Sequence, residues 1–316
     1  MELWIAVHLS MEVSDMKKFL FNIAIFFAIV AAVDFSIGKV FYWLQSSKAK
    51  GRTQTEYYIC NDLKADILVM GSSRASHHYV AQLITDSLGM TCFNGGQDGN
   101  GIVMQYGRWK MLSKHHLPKL IIYDIEPAFD LAANDNSRYI DRLKPYTGDN
   151  DVKEFVAGLY PLERYKLISQ MYRYNYKFLE IASDCARPTD VNSGYQPNYN
   201  HIRQELINKD RKPEKSKIGR IDEVKMACLT KLIDETQSKG IKVVLVSSPY
   251  WKGYDDSDLS VVRKLAEEKG VPFIDYADSE IRNNPDWFAD SMHLNDEGAK
   301  VFTADLIGKI RSFGGV

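Results

Sequence analysis

Asp66-Ile-Leu-Val-Met-Gly-Ser-Ser-Arg74 is the stretch from which the fold can be read. Asp66–Met70 is a short apolar run with the look of a strand buried on both faces. It breaks at Gly71-Ser72-Ser73-Arg74 into a helical pattern. The same alternation continues downstream. Tyr79–Leu88 reads as a helix and Thr91-Cys-Phe93 as a short strand running into Asn94-Gly95-Gly96-Gln97-Asp98-Gly99. Ile102–Ser113 reads as a helix and Lys119–Asp124 as a buried strand. After a long interruption the pattern resumes with a helix over Ile221–Lys239, stopped by Gly240, and a strand over Lys242–Ser247. A helix over Leu259–Lys269 ends at Gly270, a strand covers Val271–Tyr276, and Asp296–Phe313 is the last helix. Glycine suits these helix ends because it tolerates the left-handed cap conformation. Alternating strands and helices predict a three-layer α/β/α fold around a parallel sheet of roughly five strands. In open sheets of this kind ligands bind beyond the carboxyl ends of the strands. Ser73, Gly96 and the late loop containing Asp290 and His293 would all emerge there.

Composition narrows the function. The chain has 316 residues, 45% of them hydrophobic, enough for one sizeable core plus an insertion. Forty basic residues nearly balance 41 acidic ones, which argues against a nucleic-acid partner. Cys60, Cys92, Cys185 and Cys228 contain no CxxC spacing, disfavouring zinc ribbons and thioredoxin-like sites. An even cysteine count would allow disulfides, and scattered buried thiols explain it as well. His77-His78 and His115-His116 lack a carboxylate cluster at ligand spacing, so no metal is expected. The glycine-rich loop at 94–99 lacks the Lys-Ser/Thr of a P-loop, and no cofactor is expected.

After Lys17-Lys18, the run Phe19–Val33 is apolar but for Asn22. As a helix it spans about 22 Å, short of the roughly 30 Å hydrocarbon layer. Extension to Leu44 supplies the length and adds Phe41-Tyr42-Trp43 as an interfacial belt, at the expense of including Asp34, Ser36 and Lys39. Three readings stay open: an uncleaved signal anchor, a signal peptide cut near Val30-Ala31-Ala32, or a packed helix of a soluble protein. Met11 and Met16 are alternative starts, and a start at Met16 would give a standard export layout. The orientation signal is mixed, because Lys48, Lys50 and Arg52 follow the span. The expected organisation is a cytoplasmic N-terminus (1–18), a transmembrane signal anchor (19–44) and a polar stalk (45–64). The α/β domain occupies 65–127 and 220–316, interrupted by a tyrosine-rich insertion (128–219). The insertion is either a substrate-facing cap or a helical subdomain with inward-packed aromatics.

The chemistry is carried by two distant signals. Ser73 lies where the first strand gives way to a helix. Asp290-Ser-Met-His293 precedes the last helix. A serine nucleophile needs a base to take its proton, and that base needs an orienting carboxylate. A separation of three lets Asp290 and His293 converge from one tight loop. An imidazole with a pKa near 6.5 suits proton exchange at neutral pH. The Ser73 amide and Gly96 are the candidate oxyanion donors. The bland alternatives are helix capping by Ser72 or Ser73, a solvated loop histidine and a turn-capping aspartate. The joint placement favours catalysis.

These residues resemble the SGNH/GDSL hydrolase superfamily. Its Gly-Asp-Ser block is matched by Gly71-Ser72-Ser73, its Asn-x-Gly-x-x-Gly block by Asn94–Gly99, and its Asp-x-x-His block by Asp290–His293. The resemblance covers 65–127 and 220–313. It implies a flavodoxin-like fold, Ser73 as nucleophile and Gly96 as oxyanion glycine. The Gly-Ser-Ser variant behind a membrane helix is similar to the branch with polysaccharide O-acetyltransferase-like and teichoic-acid D-alanylation proteins, which act on the outer side of bacterial membranes. One block departs: where the family has Gly-x-Asn-Asp after the third strand, this chain has Asp124-Ile125-Glu126-Pro127. Asn94, Glu126, Asn134 and Asn136 are then candidates for substrate contact, with Asn134 or Asn136 as stand-in donors.

The resulting expectation is a serine-dependent acyl-ester hydrolase or acyltransferase acting outside the cytoplasm. It would be anchored by a single pass in a bacterial inner membrane, with its catalytic domain periplasmic or extracellular. Its substrate would be an O-acetylated glycan or another small ester. The competing class is a non-catalytic envelope protein that binds glycan or scaffolds a membrane acyltransferase partner.

Overall fold

The computed structural model describes residues 2–133, 137–189, 192–207 and 219–314. A long helix, α1 (Glu2–Ser47), leads into α2 (Gly51–Asn61) and the first strand, β1 (Ile67–Gly71). Next come α3 (Ser73–His78), α4 (Ala81–Leu88), β2 (Cys92–Asn94), α5 (Ile102–Leu112) and β3 (Leu120–Asp124). Short helices follow: α6 (Pro127–Asp130), α7 (Ser137–Asp141), α8 (Asn150–Leu159), α9 (Glu163–Lys166), α10 (Gln170–Tyr174), α11 (Phe178–Ala186) and α12 (Gln204–Ile207). The alternation then returns with α13 (Glu223–Ser238), β4 (Lys242–Ser247), α14 (Asp256–Lys269), β5 (Phe273–Asp275) and α15 (Asp296–Ser312).

The five strands form one parallel sheet in the order β2-β1-β3-β4-β5. This is the flavodoxin-like order, in which the chain reverses direction across the sheet beside β1. Strand periodicity splits the core in two. Leu68, Met70, Ile121, Tyr123, Val243 and Leu245 pack on one face with Trp109 of α5 and Leu229, Leu232 and Ile233 of α13. Ile67, Val69, Leu120, Ile122, Val244 and Val246 pack on the other with Ile84 of α4 and Phe302, Leu306 and Ile310 of α15. Burial on both faces explains why β1 and β3 are continuous apolar runs with no alternation. The helices start on side-chain caps from Asp222, Asp255 and Asn295, and Gly89 and Gly270 close α4 and α14 in the left-handed region.

Three expectations need correction. The helix expected over Tyr79–Leu88 is α4, which starts only at Ala81, because Tyr79 and Val80 are extended and separate it from α3. Residues 45–64 are not a free stalk. Helix α2 buries Thr53, Glu56, Ile59 and Cys60, and Ile59, Cys60 and Leu63 join the main core. Glu56 is 1% exposed and is matched by cations from separate segments, Arg108, Arg142 and Lys177. A charge in that position is tolerated only because it is paired. The insertion also fits neither simple picture: Tyr139, Tyr146, Tyr174 and Tyr195 are buried, whereas Tyr165, Tyr176 and Tyr199 are exposed. All four cysteines are free thiols.

Within α1, Asp15–Ser47 is a 33-residue stretch long and apolar enough to cross a membrane, and none of its most apolar part is buried. This is compatible with a single-pass anchor or a signal sequence.

Candidate active site

Strand β1 ends at Gly71, whose φ of 142° lies outside the range that side chains favour. A Cβ there would also come within 2.6 Å of the Asp124 carbonyl oxygen on β3. Glycine therefore lets the chain turn at the edge of β3 and deliver Ser73 as the first residue of α3. That helix has only six residues.

Across the strand ends, Ser73 Oγ lies 2.8 Å from His293 Nε2. His293 Nδ1 lies 3.0 Å and 3.1 Å from the two Asp290 carboxylate oxygens. A carboxylate can only accept, so Nδ1 carries the proton and Nε2 is left to accept from the serine hydroxyl. Asp290 is itself held by two backbone amides, those of Met292 (2.7 Å) and His293 (2.9 Å). Burial pushes its pKa up, but the His293 contact and these two amides outweigh burial and lower it. The loop is tight because the His293 carbonyl accepts the Ala289 amide, and Phe288 and Leu294 form an antiparallel bridge. The structure thus brings together Ser73, His293 and Asp290 from positions 220 residues apart.

The two expected oxyanion donors differ. The Ser73 amide has no hydrogen-bond partner among the described residues. The Gly96 amide is already bonded to Asn94 Oδ1 at 2.9 Å. The lack of a side chain at Gly96 serves packing, since a Cβ there would collide with the Ser76 amide on α3. Asn94 does not face a substrate. It is fully buried, and its amide nitrogen donates to the carbonyls of Ala75 (2.7 Å) and Tyr79 (2.9 Å). It braces the nucleophile-bearing helix. Glu126 is largely buried and lies 3.2 Å from Arg74 Nη2, so its charge is balanced by the residue next to Ser73. Arg74 also lies 5.1 Å from the Tyr254 ring centroid. Asn134 and Asn136 lie outside the described residues.

A second tier of side chains was not legible in the sequence. His78 is fully buried; its Nε2 accepts the Leu294 amide at 3.0 Å, and its Nδ1 donates to Ser248 Oγ at 3.0 Å. Ser248 Oγ donates in turn to Asp124 Oδ2, while the Ser248 amide and the Tyr79 hydroxyl both donate to Asp124 Oδ1. Burial, with lesser electrostatic contributions from the neighbouring His293, Arg74 and His77 side chains, pushes the His78 pKa well below its ordinary value, which keeps it neutral as this pattern requires. The chain of bonds joins the ends of β3 and β4 to the residue after His293.

His77 points elsewhere. Its Nδ1 lies 2.6 Å from the Gln196 carbonyl and its Nε2 3.4 Å from Asp98 Oδ1. Burial disfavours the charged form, but Asp98 and the Gln196 carbonyl more than compensate and raise the pKa. Asp98 is also paired with Arg52 at 2.7 Å. The His77 ring stands edge-on to His293, centroids 5.5 Å apart. The only local signal for this tier was the His77-His78 pair itself, whose two rings diverge to separate partners.

No protein-family model matches the sequence, and no curated protein is detectably similar to it. Among solved structures, the fold is similar to a candidate acylhydrolase from Bacteroides fragilis, at 14% identity over 81% of this chain and 93% of that one, with a TM-score of 0.37. A variant of an acetyl-xylooligosaccharide esterase from Geobacillus is similar at 13% identity over 77% of this chain and 93% of that one, with a TM-score of 0.41. A gut microbial diltiazem-metabolizing enzyme is similar at 14% identity over 78% of this chain and 47% of that one, with a TM-score of 0.38. These likenesses concern the arrangement of sheet and helices. The chemistry of the cleft rests on its own hydrogen bonds.

Proposed function

We propose that this chain is a serine-dependent acyl-ester hydrolase or acyltransferase of the SGNH/GDSL type. The observation that carries the reading is the 2.8 Å contact of Ser73 Oγ with His293 Nε2, with Asp290 on the opposite ring nitrogen. Ser73 Oγ attacks the ester carbonyl carbon and its proton passes to His293 Nε2. The Ser73 amide donates to the oxygen that becomes negative; one such donor typically contributes about 3 kcal/mol to the transition state. Collapse expels the alcohol, which takes the proton from His293, and leaves an acyl group on Ser73. Water or a sugar hydroxyl, deprotonated by His293, then attacks the acyl carbon and restores the serine.

The substrate class is an O-acetyl group on a glycan, and the site works outside the cytoplasm with α1 as its membrane anchor. Support for the anchor is the exposed apolar run within α1. The test is a stopped-flow assay with an activated acetyl ester and intact-mass analysis of the quenched protein. An acetyl adduct on Ser73, absent from Ser73→Ala, supports the reading. Adding a soluble glycan acceptor then separates transfer from hydrolysis by the product formed.

A second reading, a non-catalytic envelope protein that keeps the fold to bind glycan or to scaffold an acyltransferase, is favoured by two observations. The Gly96 amide is already engaged, and Glu126 stands where the resembled family has an asparagine. A Ser73→Ala variant with full biological function would support it.

A further inference from the structure

Segment 162–179 of the insertion carries Leu162, Tyr165, Ile168, Met171, Phe178 and Leu179, all exposed, four of them between 69% and 71%. Large apolar side chains clustered on a surface mark an interaction site. What lies beside this cluster identifies its partner. Helix α10 docks along α1, and its first turn is capped by a residue inside the apolar helix. Asp34 accepts from Ser169 Oγ at 2.6 Å and from the amides of Gln170 and Met171 at 2.7 Å and 2.9 Å. A side chain at Gly38 would collide with Gln170. Further along, Phe41 stacks on Tyr174 at 5.6 Å, and Gln45 donates to the Tyr146 hydroxyl. Helix α10 thus starts at the level of Asp34 and runs toward the α/β domain.

Helix α11 fixes the other side. Its C-terminal part meets the start of α2, where the Lys50 and Thr53 amides donate to Asp184. Its N-terminal residues, Phe178 and Leu179, therefore point back along α1. Helices α10 and α11 thus lie against the part of α1 that follows the apolar run, where Phe35, Val40, Tyr42 and Trp43 are also exposed.

We propose that segment 162–179 is an interfacial membrane element that seats the insertion in the bilayer surface where α1 leaves it. This rests on reading α1 as a membrane anchor. Because the insertion packs on α1 from Asp34 onward, the lipid-embedded part ends before it rather than at Leu44. Met16–Val33 gives about 27 Å of helix, with Lys17 and Lys18 snorkelling to the far interface and Asp34 at the near edge. There the polar cap of α10 lies at headgroup level while Leu162, Ile168 and Leu179 dip into the acyl boundary, as interfacial helices do. Aromatic Tyr165, Tyr42 and Trp43 occupy the level favoured by amphipathic rings. The α/β domain is consequently held against the membrane, with no free linker between it and the span.

The test uses the full chain in lipid nanodiscs, with Cys185→Ser as background because the other three cysteines are buried. Nitroxides are attached singly at Ile168→Cys and Leu179→Cys, with Phe26→Cys reporting on α1 and Ser260→Cys on the exposed face of α14. Spin relaxation by oxygen, which concentrates in lipid, is compared with relaxation by a water-soluble nickel chelate. The expected result is an oxygen-to-nickel ratio at Ile168 and Leu179 several-fold above that at Ser260. Nickel-accessible labels at 168 and 179 with a lipid-exposed Phe26 would overturn this proposal and leave the anchor intact. A nickel-accessible Phe26 would overturn the anchor reading and this inference with it. Protection of 168 and 179 from both agents would assign the patch to a protein interface, such as a second copy, and overturn it as well.

Discussion

His78 Nε2 accepts the backbone amide of Leu294 at 3.0 Å, tying the helix that begins with Ser73 to the residue after His293. The bond spans 216 positions in sequence. It holds the two halves of the candidate catalytic pair in register, and through Ser248 and Asp124 it reaches the ends of β3 and β4.

Replacing His78 by alanine leaves the Leu294 amide and the Ser248–Asp124 pair short of a partner and opens a cavity. The expected loss is about 3–4 kcal/mol of stability, read from urea unfolding. Turnover of an activated ester should fall further than in His78→Gln, whose amide can both donate and accept. Equal activity in the two variants would show that the Leu294 tie does not position His293.

The adjacent histidines should shape the pH dependence of stability in opposite senses. His78 has a lowered pKa in the folded state, so its contribution is complete above the unfolded value of about 6.5 and is lost as pH falls below it. His77 has a raised folded pKa, so its contribution is complete below about 6.5 and is lost as pH rises through the folded value. Thermal midpoints measured across this range should show His78→Gln flattening the acid side and His77→Gln flattening the alkaline side. Two variants with the same pH profile as the parent would contradict the assigned charge states.

Asp290→Asn keeps the shape of the loop but allows the wrong imidazole tautomer to face Ser73. Ester turnover should drop by about 10³-fold or more with little change in substrate affinity. A loss confined to KM would place Asp290 in substrate binding.

Asp34→Ala leaves Ser169 as the only side-chain cap of α10 and keeps the apolar face of α1 in place. The expected cost is about 0.5–2 kcal/mol, concentrated in the insertion. Hydrogen exchange should accelerate over 169–174 and stay unchanged in β1 and β3. Uniform acceleration would mean that the insertion and the α/β domain unfold together.

Much of the fold was open to inspection because β1, β3 and β4 are buried on both faces and so carry unbroken apolar runs. The Asp290–His293 pair was visible for a different reason: both side chains come from one loop, and their spacing is local. His78, Ser248 and Asp124 carried no such signal, since the bonds that link them span 170 and 124 positions. The glycine-rich loop was misleading in one respect. Asn94 has the polarity of a binding residue, but its hydrogen bonds are used on α3 and on Gly96. Residues 45–64 were misread on composition, because the partners of Glu56 lie in α5, just after α7 and just before α11.

The most direct test of the central claim is reaction of the full-length protein with a fluorophosphonate serine probe, read by intact mass and peptide mapping. An activated Ser73 predicts a single adduct on that residue, abolished in Ser73→Ala and in His293→Ala while both variants remain folded. No adduct in a folded protein, or an adduct on Ser73 that survives loss of His293, would contradict it.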